Sequence, residues 1–185
     1  MRVLRMSFQF AAFFMMFLVM ACASTSTKFS TLWKDETYQV KPEKILVISA
    51  FHNPATRWTF EDELVRALKN RRIDAVMSYT VMPDMPDSVL NDKDAIAAKA
   101  KEVGADTVLI DGPIGRTTDE FMDASGVTHL DIQIKTQTEI FDMKSNRLIM
   151  SASSETWVRN GIPYTILVQS YVKELVNKLS QLGLF

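Results

Sequence analysis

The residues able to do chemistry are few and far apart. His52 and His129 are the two histidines, 77 positions from each other, and Cys22 is the one cysteine among 185 residues. A zinc site needs His, Cys, Asp or Glu clustered at ligand spacing, so none is expected. Asp119, Glu120 and Asp123 lie close in sequence, but their spacing fits no compact calcium loop and reads as an acidic solvated one. Gly112-Pro113-Ile114-Gly115-Arg116 could suggest an anion cradle, yet no helical pattern follows to supply amide donors, which leaves a turn. No serine lies in a Gly-x-Ser-x-Gly elbow. Neither a cofactor nor a catalytic constellation is expected from these residues.

What remains is a polar and aromatic cluster, His52, Asn53, Arg57 and Trp58, following an apolar run, with Asp111 and Arg116 expected beside it at the same sheet edge. Arg and Trp are the types that dominate binding hot spots, so the cluster is a candidate partner-binding surface. His52 in that position could instead serve as a base. The same residues also have a bland reading, with Asn53 and Thr59 as turn and cap and Trp58 packed on the sheet.

The elements needed to position this cluster can be read from periodicity. Ile45-Leu46-Val47-Ile48 is a continuous apolar run, the signature of a strand covered on both faces. A helix is expected from Phe60 to Asn70, capped by Thr59, with Phe60, Leu64, Ala67 and Leu68 on one face. Asp74 to Val81 reads as a second strand, and Asp92 to Val103 as a helix stopped by Gly104. Thr107 to Ile110 is a third apolar strand, which implies a parallel βαβαβ core. From Thr128 to Ile140, Leu130, Ile132 and Ile134 alternate with Asp131, Gln133 and Lys135, so this strand has one wet face. It returns as Arg147 to Val158 in an antiparallel hairpin. The last helix carries Tyr164, Leu167, Val168, Tyr171, Val172, Leu175, Val176, Leu179 and Leu182 at three- and four-residue steps, and must cover the sheet. The order is βαβαβββα or βαβαββα, depending on whether Gly112 to Gly126 adds an extended segment. The fold class is α/β, one domain in two or three layers.

The start of the chain says where that domain sits. Arg2 and Arg5 precede fourteen uninterrupted apolar residues, Phe10 to Ala23, followed at once by Ser24-Thr25-Ser26-Thr27. This is a secretory signal, since a bilayer-spanning helix needs ~20 apolar residues. Its end resembles the bacterial lipobox: Val19, Ala21 and Cys22 match, and Met20 stands where smaller residues are commoner. The resemblance implies cleavage after Ala21 and lipid on Cys22. One acyl chain holds a protein only marginally, whereas the two or three carried by a lipobox cysteine hold it permanently. Ala23 after the cysteine, rather than Asp, resembles sorting to the outer membrane. Residues 1–21 are then signal peptide, 22–42 a tether spanning ~25 Å, and 43–185 the periplasmic domain. Trp33 and Tyr38 interrupt the polar tether and are expected to dock on the domain.

With Cys22 consumed there is no intramolecular disulfide, so the core alone must hold the fold. Removing Arg2 and Arg5 leaves 19 basic against 22 acidic residues, a net charge near −3, which does not favour nucleic acid or anionic lipid.

From about Lys44 the chain resembles a group of uncharacterised bacterial envelope lipoproteins. The matching pieces are Asn53-Pro54 with Arg57 and Phe60-Glu61-Asp62, Ser78-Tyr79 with Pro83, Gly104-Ala105-Asp106, Phe141-Asp142-Met143 to Leu148 with Ser151-Ala152, and Leu182-Gly183-Leu184-Phe185. Residues 112–126 look shorter than that group's glycine- and tyrosine-rich insertion. More distantly, the element order is similar to the outer-membrane activator of penicillin-binding proteins and the curli secretion lipoprotein. The resemblance implies a non-enzymatic binding or accessory module for an envelope protein or cell-wall partner. The alternative is a small-ligand binder or hydrolase using the loops at the carboxyl ends of the parallel strands.

Overall fold

A computed structural model of the chain describes residues 25–83, 87–90, 92–159 and 162–185. The signal segment and Cys22 lie outside the described residues. The elements in order are β1 (Thr25–Lys34), β2 (Lys44–Ser49), α1 (Pro54–Lys69), β3 (Asp74–Met77), α2 (Ser78–Val81), α3 (Asp87–Leu90), α4 (Lys93–Glu102), β4 (Thr107–Met122), β5 (Thr128–Asp142), β6 (Arg147–Arg159) and α5 (Tyr164–Gln181). Six strands form one mixed sheet in the order β1-β6-β5-β4-β2-β3. β2 runs parallel to β3 and β4, and all other neighbours are antiparallel. Among the described residues no helix is long and apolar enough to cross a membrane.

The parallel half has three layers and the antiparallel half two. Ile45 and Val47 of β2 face a core shared with Phe60, Leu64 and Leu68 of α1 and Val172, Leu175 and Leu179 of α5. Leu46 and Ile48, pointing the other way, pack with Ile96 and Ala100 of α4 and Val108 of β4. Burial on both sides is why β2 reads as unbroken apolar sequence. On β5 and β6 only the α5 side is dry. The far side is a polar ladder in which Gln133 Nε2 donates to Glu155 Oε2 (2.9 Å), Lys135 pairs with Glu155 (3.3 Å), and Gln137 Nε2 donates to Ser151 Oγ (2.7 Å).

Three expectations are corrected. α1 begins at Pro54, a full turn and a half before Phe60: Asn53 caps it by accepting from the Thr56 amide (3.1 Å), and Pro54 supplies the pre-set φ suited to a first turn. The expected second strand ends at Met77, and Ser78 to Val81 coil into α2. Gly112 to Arg116 is no turn. β4 continues for 16 residues, with a register shift between Pro113 and Gly115, and forms a long hairpin with β5. A Cβ on Gly112 would stand 2.5 Å from the Ala50 Cβ, so glycine permits the close approach of the chain leaving β2.

The largest departure is the tether. Residues 25–34 are β1, paired along nine positions with β6 from Thr25↔Val158 to Lys34↔Met150. Beyond it Asp35 is buried, its carboxylate accepts from Thr37, and it pairs with Arg147. Tyr38 packs on the core and donates to Asp142 Oδ1 (3.2 Å), while Trp33 is exposed at the strand's outer end. Burial, aided by the Asp142 charge, pushes the Tyr38 hydroxyl up to about 12.

A chain shortened to begin at Lys41 should therefore unfold at lower urea than one beginning at Thr25, and should associate as its concentration rises, because the edge of β6 is laid bare. Coincident unfolding curves and monomeric scattering for both would contradict this.

Candidate functional site

The candidate cluster divides between surface and interior. His52 and Asn53 are exposed in the loop after β2, and Trp58 is 49% exposed on the first turns of α1, its ring 6.1 Å from that of Tyr79. Tyr79 donates to Asp62 Oδ1 (2.5 Å), which lifts its hydroxyl to about 12. Arg116 is exposed on the β4 limb of the hairpin, opposite Ile134 and four β5 residues beyond the level of Asp111. Arg57 and Asp111 are not surface residues at all.

Arg57 is buried because α1 starts early and turns it inward. Its Nε donates to Glu61 Oε1 (3.1 Å), and its Nη2 donates to Ser78 Oγ (2.8 Å) and the Met82 carbonyl (3.1 Å). Glu61 has no exposed surface and also accepts from the Ser49 amide (3.0 Å), Ser78 Oγ (2.6 Å) and the Tyr79 amide (3.0 Å). One carboxylate therefore joins α1, the end of β2 and the β3–α2 junction. A buried ion pair left with one member is costly, so this is scaffold and not a docking arginine.

Asp111 stands opposite Ser49 on the neighbouring strand and is fully buried under α5. Its Oδ2 accepts from Thr138 Oγ1 (2.5 Å) and the Tyr171 hydroxyl (2.7 Å), and Thr136 Oγ1 donates to the same hydroxyl (3.0 Å). Among the described residues, Asp111 Oδ1 and Ser49 Oγ have no hydrogen-bond partner. Burial pushes the Asp111 carboxyl up to about 7, against the opposing pull of the Thr138 and Tyr171 hydrogen bonds. Having no exposed surface, Asp111 cannot share an open cleft with His52. The nearby space is a small cavity of about 30 Å³ lined by Phe51, Phe60, Tyr164, Leu167 and Tyr171, room for water but not for a substrate.

A larger cavity, about 240 Å³, lies on the opposite face between α4 and the sheet. Ile96, Val108, Ile110, Phe141 and Met143 line it with apolar surface, and Lys93, Asp94, Glu139 and Asn146 with polar groups. Periodicity did not indicate it, since it forms where Phe141, at the end of β5, and Met143, in the turn that follows, meet a helix distant in sequence. Among the described residues no group of three potential metal ligands converges.

Neither a protein-family pattern nor a curated protein sequence matches the chain. Solved structures do share its fold. A PelC dodecamer from Paraburkholderia phytofirmans superposes with a TM-score of 0.50 at 12% identity, over 82% of this chain and 94% of that one. Lipoprotein GNA1162 from Neisseria meningitidis gives 0.51 at 12% identity, over 76% of this chain and 99% of the other. At these identities the likeness is one of fold.

Two outcomes follow from the buried groups. Arg57→Ala should cost about 3–5 kcal/mol in urea unfolding, because Glu61 loses its counter-charge inside the protein; a cost below ~1 kcal/mol would return Arg57 to the surface. For Asp111, the unfolded carboxyl ionises near pH 4 and the folded one near pH 7. Between those values the folded state retains a proton the unfolded state has lost, so stability should fall as pH rises, by on the order of a few kcal/mol. Asp111→Asn should flatten that part of the profile, and an unchanged slope would contradict the assignment.

Proposed function

We propose that this chain is a lipid-anchored envelope protein whose domain works by binding an envelope protein or cell-wall component, without catalysis. Residues 1–21 would be removed, Cys22 would carry diacylglycerol and further acyl chains, and Ala23 would direct the protein to the inner leaflet of the outer membrane. The observation that carries this reading is Val19, Ala21 and Cys22 closing the apolar run, with only Ala23 and Ser24 between the cysteine and a strand of the main sheet. The fold shared with GNA1162, itself described as a lipoprotein, supports it. For the partner-facing surface the exposed members His52, Asn53, Trp58 and Arg116 remain the proposal, with Trp58 and Tyr79 as its aromatic centre. PelC is described as a dodecamer, which makes a second copy of this chain one partner to test.

The second reading, a small-ligand binder, is favoured by the cavity between α4 and the sheet, whose lining is mostly apolar with a few charged side chains. A ligand there would be apolar with one charged end.

Mass spectrometry of the N-terminal peptide should find Cys22 as first residue and lipid-modified, with Cys22→Ser left unprocessed. An unmodified, internal Cys22 would overturn the anchor, and recovery in the inner membrane would overturn the sorting. Trp58→Ala should abolish capture of crosslinked partners with the unfolding curve unchanged; full capture would remove Trp58 from the surface.

A further inference from the structure

The strand registers bring one loop to the same end of the molecule as the anchor. Thr25, where the sheet begins, stands opposite Val158 of β6, and Val158 stands opposite Ile132 of β5. From that level β5 and β4 continue together for four more residue pairs, to Thr128 and Met122. At ~3.4 Å per residue the hairpin projects ~14 Å beyond Thr25, before its closing loop of residues 123–127 is added. Cys22 is three residues before Thr25, so a fully extended backbone carries it at most ~10–11 Å from that point. The hairpin tip reaches outward at least as far as the lipid-bearing residue can.

Three side chains at that tip are apolar where solvent would favour polar ones. Phe121 is 44% exposed, Met122 69% and Val127 52%. Phe121 and Met122 are adjacent on a strand and so point to opposite faces, and Val127 lies in the loop between the strands. The apolar surface therefore wraps the tip instead of lining one face, a shape that suits entry into a soft interface better than contact with a flat protein surface. The tip is also held in place. Asp123 Oδ1 accepts from Ser125 Oγ (2.6 Å) and from the amides of Ser125 (2.9 Å) and Val127 (3.0 Å), and Asp123 Oδ2 meets His129 Nε2 at 2.7 Å. The Phe121 ring stacks on His129 at 5.3 Å. A loop already ordered has little entropy to lose on docking. Asp119 and Glu120 flank it, so the surface it fits is zwitterionic and not anionic.

We propose that the β4–β5 tip, through Phe121, Met122 and Val127, is a second membrane contact, seated in the headgroup region of the leaflet that holds the Cys22 lipid. The proposal rests on the reading of Cys22 as the anchor. Two attachments, one at β1 and one at the β4–β5 turn, would fix the rotation of the domain on the membrane. A lipid anchor alone leaves that rotation free.

The test uses the full lipidated protein in phosphatidylethanolamine–phosphatidylcholine vesicles. With Cys22 consumed by lipid, Met122→Cys supplies a single thiol for an environment-sensitive fluorophore, and Lys144→Cys, in the turn at the opposite end, is the control. Lipids spin-labelled near the headgroup should quench most of the fluorescence at position 122 and leave position 144 unaffected. Equal, weak quenching at both positions would overturn the proposal. So would a blue shift at position 122 without lipid quenching, which would mean that protein covers the tip. Mass spectrometry of the same sample separates the two claims: lipid on Cys22 with no quenching at 122 sinks the tip alone, whereas an unmodified Cys22 sinks the anchor.

Discussion

A carboxylate sealed from water must be paired, and the parallel half of this domain is built around one such pairing. Glu61 accepts from Arg57, Ser49, Ser78 and Tyr79, groups that come from a helix, a strand end and a strand-to-helix junction. Ser49 and Ser78 lie 12 and 17 positions from Glu61 in the chain. The hydrogen bonds fix the angle at which α1 leaves β2, and hence which residues of its first turn face inward. Trp58 is left outside because Arg57 is inside. The exposed aromatic surface is thus a consequence of the buried ion pair.

The antiparallel half is held differently. Its long hairpin and β1 have one dry face, under α5, where hydroxyls of Thr136, Thr138, Ser154 and Tyr171 join Asp111 in a buried polar cluster. In the proposed anchoring, this half would also carry the link to the membrane. Because β1 begins at Thr25, a lipid on Cys22 would keep the start of the sheet within ~10–11 Å of the anchored residue. A ~25 Å flexible tether would let the domain stand well away from the bilayer, whereas three residues limit its distance and leave its rotation to be set by a second contact.

Most of the fold was legible where apolar residues keep time. The continuous run of β2, the alternation of β5 and the stripe of α5 each announce their element. β1 was hidden because its inward residues are Thr25, Thr27 and Phe29, hydroxyls for the most part, and because a register shift at Phe29/Thr31 breaks the period. The extension of β4 was hidden by Gly112, Pro113 and Gly115, residues that normally mark turns. Here they serve a close strand approach and an irregularity. The early start of α1 was signalled by Asn53-Pro54, but Arg57, Trp58 and Thr59 show no apolar period. The Arg57–Glu61 spacing of four residues was the available cue that this stretch is helical. Tyr171 lay within an apolar stripe, where nothing distinguishes a core tyrosine from one bonded to a buried carboxyl. The hairpin tip could not be found without register, because only the pairing of β4, β5, β6 and β1 places it at the Thr25 end of the sheet.

The central claim is that the folded sheet begins at the membrane and not at the end of a tether. Neutron reflectometry of the lipidated protein on a supported bilayer measures this directly. The account predicts protein density continuous with the headgroup layer. A water-filled gap on the order of 25 Å between headgroups and protein, the span of a free twenty-residue chain, would contradict it.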